Sequence, residues 1–155
     1  MVTSSLEQRH IKPTAIRILV YQELQNAHYA LSLTDLEARL RTVDKSSIFR
    51  TLTLFLKHHL VHCVEDGSGM LKYALCPPEC HCGEEEHHGL DDLHTHFHCE
   101  RCGHTFCLRG QPVPRVTIPK GFVLNSANYV LVGLCPDCAR KCHHYPHEPH
   151  DFDTE

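Results

Sequence analysis

The stretch that decides the fold of the N-terminal half is 32–57, SLTDLEARLRTVDKSSIFRTLTLFLK. Ser32 and Asp35 have the spacing of a capping box, which predicts a helix over 33–41. Asp44 is the expected N-cap of a second helix that runs to about 58. Apolar side chains recur at helical spacing in both segments, at Leu33, Leu36 and Leu40 and then at Ile48, Leu52, Phe55 and Leu56. The stretch therefore predicts two short amphipathic helices joined by a turn.

The flanking segments complete the plan of a winged helix-turn-helix. Upstream, apolar residues at helical spacing after Pro13 predict a helix over 13–26. Downstream, the apolar segments 60–65 and 70–75 are separated by Asp-Gly-Ser-Gly at 66–69, which is typical of a β-hairpin. A winged helix-turn-helix consists of three helices followed by a β-hairpin, and this is the order of elements predicted here.

The exposed side of the third predicted helix indicates contact with DNA. No acidic residue lies between Lys45 and Val64. Short hydroxyl and cationic side chains are the groups that bind phosphates and base edges. We predict that this helix contacts DNA through Lys45, Ser46, Ser47, Phe49, Arg50 and Thr51.

The composition points to metal chemistry inside a reducing compartment. The 155 residues include ten cysteines and sixteen histidines. No apolar run reaches the roughly 18 residues of a membrane span, and the N-terminus lacks the apolar core of a signal peptide. We therefore expect a cytoplasmic protein without membrane contact, in which the cysteines are metal ligands or reactive thiols rather than disulfides.

Charge and ligand residues divide the chain into regions. Residues 1–75 carry a net charge of +2 and residues 76–155 a net charge of −6. The Cys and His tracts at Cys80–His88 and Cys142–His150 lie among Pro and acidic residues and are interpreted as flexible segments that bind metal loosely. We predict a winged-helix DNA-binding domain at 1–76, an acidic His/Cys-rich linker at 77–93, a zinc-stabilised domain at 94–140 and a His-rich tail at 141–155.

Two C-x₂-C motifs predict a structural zinc site. Cys99-Glu-Arg-Cys102 and Cys135-Pro-Asp-Cys138 are separated by 32 residues, and each follows a predicted strand. With a further strand at 105–108, we expect a small antiparallel sheet. Each motif can place two thiolates on one side of a tight turn, and two such turns complete a tetrahedral site. The predicted ligands are Cys99, Cys102, Cys135 and Cys138.

A second group of potential ligands lies near the boundary of the two halves. In a strand, His94 and His96 point to the same face. Glu65 lies on the first predicted strand of the hairpin, and Cys76 ends the second. Mixed ligands from two domains can form a site whose occupancy fixes the angle between the domains. We predict that a regulatory metal is bound by Glu65, Cys76, His94 and His96, with His62 and Cys107 as further candidates.

The sequence contains no constellation typical of an enzyme. His98-Cys-Glu100 followed by Cys135-Pro-Asp-Cys138 resembles the signature of zinc deaminases. However, the proline follows Cys135 instead of preceding it, and Cys99 and Cys102 already supply a better partner for the second motif. With no nucleophile–base pair or phosphate loop elsewhere, we predict that the chain is not an enzyme.

Five motifs in register resemble the ferric uptake regulator (Fur) superfamily of bacterial metal-dependent repressors, over residues 9 to about 138. They are Lys12-Pro-Thr14-Ala-Ile-Arg17, Ser47-Ile-Phe49-Arg50-Thr51-Leu52, His94-x-His96-x-x-Cys99-x-x-Cys102-Gly103, Gly121-Phe122 and Gly133-x-Cys135-x-x-Cys138. The resemblance implies an α+β homodimer, with an N-terminal winged helix-turn-helix and a small C-terminal α/β dimerisation domain that holds the four-cysteine zinc site.

The resemblance also implies which residues contact double-stranded DNA. Phe49 and Arg50 would lie at the major groove and Lys12 near the phosphates, while Thr14 and Arg17 belong to the same motif as Lys12. A two-fold dimer is expected to bind an inverted-repeat operator.

The chain departs from the family pattern in several places. Positions that match a second regulatory site in the dimerisation domain hold Leu93, Thr95, Pro114 and Ala127, so that site is expected to be lost. The family's dimerisation helix falls on 111–120, whose prolines exclude a regular helix. A usual carboxylate is replaced by Cys107, and the family's N-terminal histidine ligand falls at Ala30, with His28 as an approximate substitute.

The ligand types indicate which metal is sensed. Cys76 is similar to the sensor thiolate of the zinc-responsive (Zur) branch, and thiolate with imidazole favours zinc over iron(II). We predict a repressor of metal-uptake genes that senses zinc. Iron(II), or haem at Cys76-Pro77 or Cys135-Pro136, is the alternative signal. A zinc-storage or interaction module that does not bind DNA is the alternative function.

Overall fold

A computed structural model describes residues 1–77, 94–124 and 127–142. Most of the predicted 77–93 linker, including the Cys80–His88 tract, lies outside the described residues, as does the tail from 143 onward. Within the described ranges the chain forms two three-stranded sheets, one in each half.

The N-terminal half contains four helices and a small antiparallel sheet. The helices are α1 (Val2–Gln8), α2 (Ala15–Asn26), α3 (Leu33–Arg39) and α4 (Lys45–Lys57). The strands are β1 (Leu31–Ser32), β2 (Val61–Glu65) and β3 (Leu71–Leu75), in the order β1-β3-β2. The predicted winged helix-turn-helix is therefore confirmed, as helices α2 to α4 followed by the β2–β3 hairpin.

Side-chain caps fix the start of three helices. The Thr14 hydroxyl accepts a hydrogen bond from the Arg17 backbone N–H at the start of α2. Ser32 and Asp35 form the predicted capping box of α3, and Asp44 accepts from the Ser47 backbone N–H at 2.9 Å to begin α4. These caps satisfy N–H groups that have no partner within the helix.

The apolar stripes of the helices pack together over the sheet. Leu36, Ile48, Leu52 and Phe55 are fully buried, and Leu6 of α1 joins the same core. Burying each such side chain contributes about 1.5–3 kcal/mol to stability. The inner face of α4 is therefore anchored, while its N-terminal outer face is left to solvent.

The C-terminal half is a mixed sheet followed by a short helix. Its elements are β4 (His94–Cys99), β5 (Thr105–Pro112), β6 (Val130–Gly133) and α5 (Pro136–Lys141), with sheet order β5-β4-β6. β4 pairs antiparallel with β5 but parallel with β6, which corrects the predicted antiparallel sheet. The long connection before β6 allows a parallel return that a tight turn could not provide.

The connection after β5 contains no regular element over 113–119, as its prolines predict. Among the described residues, no helix has both the length and the apolar character needed to span a membrane.

Candidate metal centres and nucleic-acid interface

Four thiols converge between the end of β4 and the start of α5. We call Cys99, Cys102, Cys135 and Cys138 the four-thiol cluster, since their sulfur atoms all lie within 4.8 Å of one another. Gly103, at φ +73°, reverses the chain after the first pair in a conformation that favours glycine. The structure thus brings together all four residues that the two C-x₂-C motifs nominated.

The four-thiol cluster fits zinc in spacing and in charge. The sulfurs of Cys102 and Cys135 are 3.9 Å apart, close to the roughly 3.8 Å expected for two Zn–S bonds of about 2.3 Å at a tetrahedral angle. Burial would raise the pKa of Cys99, yet backbone N–H groups around its sulfur lower it to about 6. Burial and the neighbouring thiols raise the pKa of Cys138 to about 12. Thiols this close can ionise together only around a cation.

Three histidines and a cysteine converge where the two halves meet. One ligand atom from each of His62, His94, His96 and Cys107 lies within 4.8 Å of the others, and we call this set the boundary cluster. His62 belongs to β2 of the hairpin, whereas His94 and His96 lie on β4 and Cys107 lies opposite His96 on β5. The cluster therefore combines one donor from the N-terminal half with three from the C-terminal sheet.

The spacing of the boundary cluster also fits a tetrahedral metal. The Nε2 atoms of His62 and His96 are 3.4 Å apart, and the Cys107 sulfur is 3.6 Å from Nε2 of His62. Zinc bonds of about 2.0–2.1 Å to nitrogen and 2.3 Å to sulfur would separate these donors by about 3.3 and 3.6 Å.

Burial sets the protonation of this cluster. It lowers the pKa of His62 to about 3, with further lowering by His94 and His96, and it lowers the pKa of His96 to about 4. Both imidazoles are therefore neutral at neutral pH, with a lone pair available for a metal. Burial raises the pKa of the Cys107 thiol to about 11, so a metal must displace that proton on binding.

Two of the predicted regulatory ligands, Glu65 and Cys76, lie outside the boundary cluster. Glu65 is exposed and lies three residues after His62 on β2, so side-chain alternation turns it away from the cluster. The Cys76 sulfur lies 3.6 Å from Nδ1 of His62, whereas Nε2 of that ring faces the cluster. Cys76 thus contacts a member of the boundary cluster, and the cluster itself contains the two further candidates, His62 and Cys107, with the predicted His94 and His96.

The predicted DNA-binding residues form a surface at the N-terminal ends of α2 and α4. A cleft of about 340 Å³ between the two helices is lined by residues that include Thr14, Arg17, Ser47 and Arg50. Phe49 is 52% exposed on α4. Lys12 and Ser46 are also exposed.

Local contacts organise this surface. Arg17 donates to the Lys12 backbone carbonyl at 2.8 Å and so holds the segment before α2. Arg50 donates to the Ser47 hydroxyl, while Lys45 pairs with Glu37 at 3.3 Å.

Thr51 departs from the predicted surface. It is only 6% exposed, because it lies on the same helical face as Ile48 and Leu52. The structure thus corrects its prediction as an exposed residue, although Thr51 lines the cleft between α2 and α4.

A buried polar network between the two halves was not predicted. Lys72 and Asp66 of the hairpin contact Thr105 and His98 of the C-terminal sheet. In the sequence, Asp66 has the pattern of a hairpin turn and Lys72 that of an exposed strand residue. The sequence around Lys72 therefore does not indicate that this lysine is buried or that its partners include residues of the C-terminal sheet.

Solved structures of metal-uptake regulators resemble this chain. A zinc uptake regulator complexed with zinc and DNA is 23% identical, has a TM-score of 0.58, and matches over 88% of this chain and 89% of that one. The ferric uptake regulator of Vibrio cholerae is 16% identical, with a TM-score of 0.56 and coverage of 86% and 98%. A zinc-bound manganese uptake regulator is 16% identical, with a TM-score of 0.59 and the same coverage. No protein-family model and no curated protein matches the chain.

The comparisons establish the fold. The chain has the fold of the Fur and Zur regulators, as the sequence motifs implied, and its α+β class is confirmed. The structures that share this fold are metal uptake regulators.

Proposed function

We propose that this chain is a metal-responsive, DNA-binding transcriptional regulator of the Fur superfamily, of the zinc-sensing type. The boundary cluster carries the proposal, because His62 comes from the wing hairpin and the other three donors come from the C-terminal sheet. A metal held by all four residues cross-links the halves and restricts the position of α4, the proposed DNA-reading helix. Domain closure of this kind is a recurrent basis of switching.

The residues of the chain prepare the cluster for this role. His62 and His96 are kept neutral by burial, so no proton competes for their lone pairs at neutral pH. Zinc would supply a four-coordinate cross-link that needs no redox change. A coupling of about 1–3 kcal/mol between metal and DNA would be enough for a useful response.

The ligand set favours zinc over iron(II). Cys107 contributes a soft thiolate among imidazoles, whereas iron(II) regulatory sites favour nitrogen and oxygen donors. We propose a second, structural zinc in the four-thiol cluster, where all donors come from one half of the chain.

A homodimer is proposed from the exposed apolar surface of the C-terminal half. Phe122 is 73% exposed and Val123 86%, and Leu131 and Val132 are exposed on the edge strand β6. A second copy would cover such a surface. Two copies related by a two-fold axis would place two α4 helices on an inverted-repeat operator. We further propose that the protein is cytoplasmic and represses metal-uptake genes.

The experiment that tests DNA recognition is the Arg50→Ala substitution. A duplex selected from a random-sequence pool by the zinc-loaded protein serves as the probe. If Arg50 reads a base edge, its loss should weaken binding by about 1–3 kcal/mol, which is roughly five- to 150-fold. Arg140→Ala, which removes an exposed arginine from α5, is the matched control and should bind as the wild type does.

Equal affinity of the wild-type and Arg50→Ala proteins would contradict DNA recognition by α4. Wild-type protein that binds zinc but selects no duplex would instead support the zinc-storage alternative.

A further inference from the structure

The loop that follows the first C-x₂-C motif is held by the N-terminal half of the chain. We call Gly103–Thr105 the knuckle loop. The Lys72 ammonium donates to the carbonyl of Gly103 at 2.7 Å. The Ala30 backbone N–H donates to the carbonyl of Thr105 at 2.8 Å. Thr105 and Ala30 are buried, so these bonds are shielded from water.

The middle residue of the knuckle loop is held by an aromatic stack. The His104 ring lies flat against Tyr29, with ring centroids 3.7 Å apart and planes 8° from parallel. Arg39 donates to the Tyr29 hydroxyl at 2.9 Å and pairs with Glu23 on α2. All three residues of the loop therefore contact the DNA-binding half, and two helices of that half support the contact.

A buried ion pair joins the same loop to the hairpin. The Asp66 carboxylate is 2.6 Å from the Lys72 ammonium and accepts a hydrogen bond from the Thr105 hydroxyl at 2.5 Å. His98 lies 2.9 Å from the same hydroxyl. Burial would raise the pKa of Asp66, but the hydrogen bonds from Lys72, Ser68 and Thr105 outweigh it and hold the pKa well below its usual range.

The other side of the knuckle loop is tied to the four-thiol cluster. The Gly103 backbone N–H donates to the carbonyl of Cys99 at 2.8 Å, and the Cys99 N–H donates to the carbonyl of His104 at 2.9 Å. Cys102 immediately precedes the loop. The conformation of the loop is thus coupled to the arrangement of Cys99 and Cys102.

From these contacts we infer that the four-thiol site positions the DNA-binding half, through the knuckle loop, as well as stabilising its own half. The inference rests on the proposed zinc in that cluster. None of the contacts named passes through the boundary cluster, so the two metal sites act on the domain angle by separate routes. Buried ion pairs of this kind serve geometric specificity more readily than net stability, because removing them from water offsets much of their attraction.

The same geometry makes Lys72 a positioning residue rather than a DNA contact. It is only 5% exposed, although it lies in the wing hairpin. Its ammonium contacts Asp66 of the hairpin and Gly103 and Thr105 of the knuckle loop. These three partners come close to one another only when the hairpin packs against the knuckle loop.

Hydrogen–deuterium exchange of the zinc-loaded full chain tests the inference. The readout is the Ala30 amide, whose bond to Thr105 crosses the two halves. Lys72→Met should speed its exchange about tenfold or more, with zinc retained in the four-thiol cluster and the amides of Leu52 and Phe55 still protected. Lys57→Met removes an exposed lysine from the end of α4 and should leave the exchange of Ala30 unchanged. If Lys72→Met alone does not fold, the double variant Asp66→Asn/Lys72→Met removes both charges and should give the same result.

A second comparison separates the two metal sites. Cys107→Ser disrupts the boundary cluster and should leave Ala30 protected. Cys102→Ser disrupts the four-thiol cluster and should loosen the C-terminal half with it, so it should expose Ala30 while α4 stays protected. Unchanged Ala30 exchange in Lys72→Met with zinc retained would overturn the inference. So would loss of Ala30 protection in Cys107→Ser but not in Cys102→Ser. Wild-type protein that holds no zinc at the four thiols would instead contradict the proposed function.

Discussion

The four-thiol cluster and the boundary cluster differ in what holds their donors together. The four cysteines come from two short motifs within one half, and their thiols require a cation to ionise together. The boundary cluster draws His62 from the wing and three donors from the C-terminal sheet, and the imidazoles of His62 and His96 are neutral. The first arrangement suits a metal that is needed for folding. The second suits a metal that binds and leaves while both halves remain folded.

The largest expected effect separates the two clusters by stability. Cys135→Ser removes a buried ligand of the four-thiol cluster, and metal binding there supplies folding free energy. We expect the C-terminal half to unfold and the dimer to be lost, while the N-terminal half, with its own apolar core, stays folded. Circular dichroism, sedimentation and zinc analysis of the purified variant provide the measurement. A folded, dimeric Cys135→Ser protein with full zinc content would contradict the claim that the four-thiol cluster holds a metal needed for folding.

A smaller effect is expected from pH, and it distinguishes the clusters by their protons. The pKa of Cys107 is raised to about 11, so zinc binding at the boundary cluster releases that proton, whereas His62 and His96 hold none above about pH 4. Apparent zinc affinity should therefore rise about tenfold per pH unit between roughly pH 7 and pH 8.5. Competition with a chelator, corrected for protonation of the chelator, measures the slope. Cys107→His keeps a metal donor but removes the thiol proton, so zinc affinity should rise less steeply with pH. An unchanged slope would show that another group releases the proton.

The smallest effect concerns the residue just outside the boundary cluster. When Nε2 of His62 binds the metal, Nδ1 carries the ring proton and can donate it to the Cys76 sulfur, 3.6 Å away. Such outer partners orient a ligand, and losing one typically costs about ten- to a hundredfold in metal affinity. We therefore expect Cys76→Ala to weaken zinc binding by about tenfold without changing the number of zinc ions bound. Loss of one zinc per chain would show that Cys76 is itself a ligand, as the sequence alone suggested.

The difference between the clusters also explains what could be predicted from the sequence. Each C-x₂-C motif places its two thiols by local geometry, so the sequence was sufficient to nominate all four cysteines. The boundary cluster depends on strand register: Cys107 lies opposite His96 because β4 and β5 pair in one particular way. The sequence does not encode that pairing locally, and it favoured Glu65 and Cys76 over His62 and Cys107.

The fold shows the same division between local and distant information. The caps at Ser32 and Asp44 and the apolar stripes of the helices predicted α3 and α4 closely, because these signals act within a few residues. The two-residue strand β1 exists through its pairing with β3, and the direction of β6 depends on a long connection. The contacts of Lys72 and Asp66 with Thr105 span more than thirty residues and have no local pattern.

The central claim is that DNA binding responds to metal through occupancy of the boundary cluster, while the zinc of the four-thiol cluster stays bound. The most direct measurement is the affinity for the selected duplex across a buffered zinc series, with zinc content determined in parallel, for the wild type and Cys107→Ser. For the wild type, we predict a gain of about five- to 150-fold over the range in which the second zinc binds, and an equal gain in zinc affinity when DNA is present. Cys107→Ser should keep the first zinc and show no gain. Wild-type DNA affinity that stays constant while the second zinc binds, or a full gain in Cys107→Ser, would contradict the account.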